Sequence, residues 1–94
     1  MKGSGFRELR VWKRSRDLAV LVYKITGNNS YSRDIGLRDQ MRRACVSVAS
    51  NIAEGDERKT NKESLMFFYI AKGSLAELIT QLELSRAVDI YQRR

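Results

Sequence analysis

The sequence contains no histidine and no proline, and its only cysteine is Cys45. Without an imidazole, neither a Cys/His metal cluster nor a catalytic triad or dyad that needs histidine can form. A single cysteine cannot form a disulfide within the chain. A catalytic site would also be expected to contain paired carboxylates or an activated nucleophile, and the sequence shows no such arrangement. We therefore predict a non-enzymatic protein with no catalytic residues, no metal site and no cofactor.

Long apolar runs are absent as well. The two longest stretches, residues 18–23 and 65–71, are far shorter than the roughly 20 residues that a membrane-spanning helix needs. The N-terminus lacks the apolar run before a cleavage site that marks a secretory signal peptide. These absences predict a cytoplasmic protein that has no membrane partner.

The composition is typical of one soluble globular domain. Hydrophobic residues make up 43% of the 94 residues and charged residues 31%, and a chain of this length builds a single core. We predict one domain over residues 1–94. Within that domain Cys45 is expected to be a small buried hydrophobe.

Apolar residues recur at helical spacing in three long segments. We predict a flexible leader over residues 1–5 and helices over about 6–26, 33–54 and 61–91. Gly27 and Asn28 suit the end of the first helix, and Gly55 suits the position just past the end of the second. No segment alternates apolar and polar residues over enough length to predict a strand.

The third segment has the clearest start and the clearest period. Thr60 and Glu63 form a capping box, in which the Thr60 hydroxyl accepts from the Glu63 backbone N–H. Apolar residues then recur in alternating steps of three and four, at Phe68, Ala71, Leu75, Leu78 and Leu82. That spacing is expected for helices that cross at about 20° in a bundle. Gly73 in the middle of this helix predicts a close helix contact near Ala71 and Ser74. The predicted fold class is all-α, an antiparallel up-down helical bundle with three long helices.

The second helix contains the most distinctive motif: Arg42-Arg43-Ala44, then Ser47, then Asn51-Ile52-Ala53-Glu54-Gly55. This motif resembles the signature of a bacterial four-helix-bundle family whose members are encoded in intervening sequences of large-subunit ribosomal RNA genes. The resemblance extends over roughly residues 6–86. It implies an antiparallel four-helix bundle that assembles into a ring, typically a homopentamer, with no known catalysis. A related accessory protein of diversity-generating retroelements binds its reverse transcriptase and nucleic acid, which implies a binding role.

The family pattern continues through a fourth helix, and this sequence stops where that helix should begin. The fourth helix is therefore expected to be either missing through truncation or supplied by a partner. Three helices with wide apolar faces ordinarily need a further element to cover them. We accordingly predict that the chain is a homo-oligomer, and the resemblance favours a pentamer.

Polar residues of the second helix form a stripe beside its apolar face, because Arg43, Ser47, Ser50 and Glu54 project within about 60° of one another. As a functional site, the stripe would offer Arg43 to phosphate and Glu54 as an acid or base. As a packed polar seam, it would pair these charges with neighbouring helices or subunits. We favour the seam, since no further catalytic group converges on the stripe. The residues of the motif assigned to it are Arg42, Arg43, Ser47, Asn51, Glu54 and Gly55.

The net charge of +7 is concentrated in the first helix, since residues 1–26 carry seven cations and two acids. Five cations share an arc of about 120° opposite the apolar half of that helix: Arg7, Arg10, Lys13, Arg14 and Lys24. Such a basic face is typical of proteins that bind polyanions. Trp12 and Tyr23 project with the apolar half, so we expect them in the core rather than in a base-stacking platform.

Two functions agree with these observations. The favoured one is a homo-oligomeric helical bundle that binds RNA or a ribonucleoprotein through its basic first helix. The alternative is a structural or protein–protein interaction module without a nucleic-acid role, in which the charge serves solubility.

Overall fold

The computed structural model describes residues 5–88, and within that range the chain is entirely helical apart from its connections. Its α-helices are α1 (Arg10–Thr26), α2 (Ile35–Asp56) and α3 (Asn61–Ala87), with short 3-10 helices at Gly5–Glu8 and Asn29–Arg33. No strand occurs among residues 5–88. The prediction of an all-α chain with three long helices is confirmed. The leader as far as residue 4, and the stretch from residue 89 to 91 that we assigned to the third helix, lie outside the described residues.

The first helix begins four residues later than the apolar spacing predicts. Gly5 adopts a left-handed φ of +61°, and Leu9 is extended, with φ −73° and ψ 129°. The backbone therefore breaks between the 3-10 helix and α1, which removes residues 6–9 from the α-helix. The apolar contacts continue across the break, because the rings of Phe6 and Trp12 pack edge to face at 5.1 Å. The apolar side chains therefore pack together across this segment, although the backbone there is not one continuous α-helix.

Local hydrogen bonds also set the ends of α2 and the start of α3. The Asp34 carboxylate accepts from the Leu37 backbone N–H at 3.0 Å, so α2 begins at Ile35 rather than at residue 33. Its other end lies at Asp56, and Gly55 is inside the helix instead of just past it. At α3 the predicted cap is present, since the Thr60 hydroxyl accepts from the Glu63 N–H at 3.1 Å.

The position of Gly55 is explained by packing rather than by backbone conformation. A Cβ at this position would lie 2.5 Å from a carbon of the Phe68 ring. The adjacent Gly55 carbonyl accepts a hydrogen bond from the Ser64 hydroxyl at 2.7 Å. Gly55 therefore lets the C-terminal end of α2 come very close to the first turns of α3.

The helix α2 packs against both α1 and α3, whereas no Cα of α1 comes within 8 Å of a Cα of α3 in the described chain. Two buried clusters fill the contacts. One joins the C-terminal end of α1, the start of α2 and the C-terminal half of α3: Val22, Tyr31, Met41, Ala44, Cys45 and Leu78. The other lies at the opposite end and combines Val48, Ile52 and Ala71 with Leu9 and Trp12. The helices therefore run antiparallel in sequence order, with α2 between its neighbours.

A large apolar surface stays uncovered by residues 5–88. Nine hydrophobic residues in this range are buried, whereas fifteen large hydrophobic residues are exposed. The exposed ones concentrate on α3, at Leu65, Met66, Phe68, Tyr69, Ile70, Leu75, Ile79 and Leu84. A helix that is apolar around its whole circumference is ordinarily buried on all sides. The predicted close contact is made beside Gly73, by Ala71, which is 4% exposed, and by Ser74, whose hydroxyl lies 2.8 Å from that of Ser47. Gly73 itself faces away from it, since a Cβ placed there would meet no atom of the described residues within 4 Å.

We expect opposite effects from alanine at these two glycines. Gly73→Ala has room for its methyl group and should raise the free energy of unfolding by up to about 1 kcal/mol through helix propensity. Gly55→Ala gains the same propensity but overpacks against Phe68, which typically costs about 1–3 kcal/mol, so its net effect should be destabilising. Urea denaturation followed by circular dichroism measures both. Equal stabilisation by the two substitutions would contradict the close approach at Gly55.

Candidate nucleic-acid interface

The predicted basic face lies on the outward side of α1. Arg10, Lys13, Arg14 and Lys24 are exposed, and the side turned to α2 buries Ser15, Val22 and Thr26. None of the four exposed cations makes an ion pair with a residue between 5 and 88. Arg7 belongs to the preceding 3-10 helix, and its guanidinium lies over the Phe6 ring at 4.7 Å. The structure thus brings four of the five predicted cations onto one helix and places the fifth just before it.

One edge of this face borders an apolar groove between α1 and α3, which we call the α1–α3 groove. Its volume is about 310 Å³, and its lining is mainly apolar: Leu9, Val11, Val48, Ile52, Phe68, Ala71 and Leu75, with Ser15 and Lys72. Arg10 and Arg14 lie beside its continuation along α1, next to Leu18. Two of the predicted cations therefore stand at the rim of an uncovered apolar surface.

The other edge borders two shallow grooves on the outer side of α1 and α2, which we call the α1–α2 surface. One has a volume of about 600 Å³ and is lined by Trp12, Arg16, Ala19, Val20, Tyr23, Lys24, Val46, Ala49 and Ser50. The other has a volume of about 660 Å³ and is lined by Tyr23, Asp39, Arg42, Arg43, Val46 and Ser47. Tyr23 and Val46 line both grooves, so the two grooves adjoin at these residues. Arg16 and Tyr23 are candidate binding residues that were not among the five predicted from the sequence.

Arg42 of the family motif joins α2 to the end of α1. Its Nε donates to the Thr26 hydroxyl oxygen at 2.8 Å, and its Nη2 donates to the Tyr23 carbonyl at 3.4 Å. The guanidinium also lies over the Tyr23 ring, 4.6 Å from the ring centre. A cation at this place satisfies a carbonyl of the last helical turn and complements the negative end of the helix dipole.

Two further motif residues form a small hydrogen-bonded network between α2 and α3. The hydroxyl groups of Ser47 and Ser74 are 2.8 Å apart. The Asn51 amide nitrogen donates to the Ser47 carbonyl at 2.9 Å and to its hydroxyl at 3.0 Å. Short side chains at the contact let the two helices share this network, and Gly55 continues the same close approach towards Phe68.

The remaining two motif residues point away from these contacts. Arg43 is exposed and makes no hydrogen bond or ion pair with the described residues. Glu54 is also exposed and pairs with Arg58 one turn later, whose guanidinium covers the Phe67 ring at 4.5 Å. The structure therefore separates Arg43 from Glu54 rather than combining them into one site.

In the described part of the chain, no cluster of His, Cys, Asp or Glu could hold a metal ion. Burial raises the pKa of the Cys45 thiol, which therefore stays protonated near neutral pH. Its Sγ donates to the Arg42 carbonyl at 3.2 Å. Between residues 5 and 88, no helix is long and apolar enough to cross a membrane.

A family model described as the 23S rRNA-intervening sequence protein matches residues 7–94. The chain belongs to this family. The matched range contains the whole motif from Arg42 to Gly55, and the resemblance inferred from that motif is confirmed. No curated protein matches the sequence. In this member of the 23S rRNA-intervening sequence protein family, Arg42, Ser47 and Gly55 contact neighbouring helices. Asn51 bonds to Ser47 within α2, and Arg43 and Glu54 face outward.

We expect packing to matter more than charge in this helix. Ala44→Leu enlarges a residue that is 3% exposed in the core cluster and should lower the free energy of unfolding by about 1–3 kcal/mol. Glu54→Gln removes only an exposed ion pair, whose loss should cost at most about 1 kcal/mol. Thermal denaturation compares the two variants. An activity that disappears in Glu54→Gln while the fold survives would show that Glu54 is functional.

Proposed function

We propose that this chain is a non-enzymatic, homo-oligomeric helical-bundle protein that binds RNA or a ribonucleoprotein through α1. The observation that supports RNA binding most directly is the row of exposed cations on the outward side of this helix, which make no ion pair within residues 5–88. Arg10 and Lys24 mark its ends, and the helical rise of about 1.5 Å per residue separates them by about 21 Å. Phosphate groups of a nucleic-acid backbone could neutralise these charges, releasing counterions as they bind.

Phosphate contacts carry no direct information about base sequence. Binding by the α1 cations alone should therefore be broad in specificity and strongly dependent on salt. A ribonucleoprotein would present the same phosphates, so the proposed chemistry at α1 is the same for free and protein-bound RNA.

The proposal of a homo-oligomer rests on the uncovered apolar surface. The α1–α3 groove lies where α1 and α3 are held apart by α2, which is the position of a fourth helix in an up-down bundle. Exposed apolar residues on α3 outside this groove, including Met66, Ile70 and Leu84, need a second covering surface. Membership in the family favours a ring, and the resemblance favours five copies.

The alternative function is a protein-interaction or structural module without a nucleic-acid role. The α1–α3 groove favours it, because apolar side chains line the floor and Arg10, Arg14 and Lys72 border it. Such a groove suits an amphipathic helix of a partner protein. The two functions differ in what the α1 cations do: they bind phosphate in the first and keep the protein soluble in the second.

Salt dependence of RNA binding tests the proposed function. If Arg7, Arg10, Lys13, Arg14 and Lys24 each neutralise one phosphate of single-stranded RNA, log K should fall against log salt with a slope of about −3.5 per protomer. Between 50 and 200 mM salt the affinity should then drop by about 2 log units. Fluorescence anisotropy with a labelled oligoribonucleotide measures both quantities.

Replacing Arg10 and Arg14 by glutamine should lower the magnitude of that slope by about 1.4. Both side chains are exposed, so helix content and particle mass should not change. Lys59 and Lys62 are also exposed and offer a matched control, because their replacement removes the same charge outside α1 and should leave the slope close to that of the wild type. Undetectable binding by the wild type at 50 mM salt, or equal slopes for the two double variants, would favour the protein-interaction module.

Assembly is tested separately by light scattering. We expect particles well above the 10.8 kDa of one chain and thermal unfolding that depends on protein concentration. Met66→Glu on α3 places a charge on an apolar surface that is 57% exposed in the single chain, so it should reduce the particle mass without loss of helix. A reversible, concentration-independent transition of a monomer would contradict the proposed assembly.

A further inference from the structure

Tyr23 is the exposed aromatic residue at the centre of the α1–α2 surface. Its side chain was expected in the core, yet Tyr23 is 45% exposed, and it lines both grooves. The Arg42 guanidinium lies 4.6 Å from the ring centre. Arg42 is itself held by Thr26 at 2.8 Å. The ring is thus fixed from one side by a side chain that is anchored to the same helix end.

Cations surround this ring. Arg16 and Lys24 line the groove on the α1 side, and Arg43 lines the groove on the α2 side. Asp39 also lines the second groove and pairs with Arg38 at 3.2 Å, while Asp17 pairs with Arg16 at 3.1 Å. Lys24 and Arg43 make no ion pair with any residue of the described chain, so their charges are available to bind phosphate groups.

We propose that a single strand of RNA crosses the α1–α2 surface, with one base stacked on the Tyr23 ring and its flanking phosphates bound by Lys24 and Arg43. This inference rests on the proposed function. It adds where on the protein the RNA binds and that the bound RNA is single-stranded. Aromatic rings beside a positively charged groove are the usual means by which proteins hold single-stranded nucleic acid. A base in a duplex is already stacked on its neighbours, so the ring discriminates against double-stranded RNA.

Other exposed aromatic residues lack this setting. Tyr69 is more exposed than Tyr23, but its neighbours on α3 include Leu65, Met66 and Ile70, which are apolar. Phe68 lines the α1–α3 groove. Trp12 lines the first groove but is only partly exposed and packs against Phe6. Tyr23 combines an exposed ring with cations on both sides that make no ion pair within residues 5–88.

The test compares Tyr23→Leu with Tyr23→Phe in the full chain. Leucine keeps an apolar side chain with good helix propensity but removes the aromatic face, whereas phenylalanine keeps the ring. With a 12-nucleotide oligouridylate, Tyr23→Leu should weaken binding about 5- to 150-fold, the range for loss of one stacked base. Tyr23→Phe should bind like the wild type. The salt slope should stay the same in both variants, since neither changes a charge.

Two further probes separate stacking from charge. Heparin is a polyanion without bases, and its affinity should be the same for wild type and Tyr23→Leu. The oligouridylate annealed to oligoadenylate should bind more weakly than the single strand and should not distinguish the two proteins. Equal binding of the oligouridylate by wild type and Tyr23→Leu would overturn the assignment of Tyr23 while leaving RNA binding by α1 intact. An equal loss of heparin binding in Tyr23→Leu would overturn it as well.

Arg43 gives an independent variant in case Tyr23→Leu fails to fold. Arg43→Gln should lower the magnitude of the salt slope by about 0.7, and the matched Lys62→Gln should not. Identical slopes for these two variants would overturn the proposed path of the strand. Failure of the wild type to bind the oligouridylate at 50 mM salt would overturn both this inference and the proposed function.

Discussion

Close packing on two sides of α2 is the constraint on which the other features depend. Towards α3, the hydroxyl groups of Ser47 and Ser74 meet at 2.8 Å, and Gly55 leaves no room for even a methyl group beside Phe68. Towards α1, Arg42 reaches across to Thr26 and the Tyr23 carbonyl. Because α2 holds both neighbours, α1 and α3 stay apart. That separation produces the apolar groove between them and leaves the cations of α1 exposed.

Three helices could be predicted because apolar residues that face a common core must repeat with the helical period. Three of the helix ends could not, since each depends on one local arrangement: the extended Leu9 before α1, the Asp34 cap at α2 and the packing of Gly55 against Phe68. The start of α3 could be predicted, because its capping box is visible in the sequence. The burial of Tyr31 could not be predicted from the sequence for a related reason. This residue is fully buried within a polar 3-10 turn, where a single aromatic residue has no periodic neighbours to indicate burial.

The candidate site was predictable only as far as it lies on one helix. Cations at helical spacing indicate a basic face of α1, and the structure places Arg10, Lys13, Arg14 and Lys24 there. The α1–α2 surface depends on two helices, and a projection of α1 alone cannot show which flank α2 covers. Tyr23 projects with the apolar half, yet the residues that line the groove with it from α2 are short, Val46, Ala49 and Ser50. Its ring therefore remains exposed.

The distribution of charge and apolar surface makes the two parts of the proposed function compatible. The exposed apolar residues concentrate on α3, whereas four of the cations proposed to bind phosphate lie on α1, and α2 separates these helices. Copies that associate through α3 would bury apolar surface without covering Tyr23, Lys24 or Arg43. Each copy would then add one basic face to the assembly, and a long RNA could contact several faces at once. Its salt dependence would be steeper than that of a short oligonucleotide bound to one face, since the number of neutralised phosphates sets the slope.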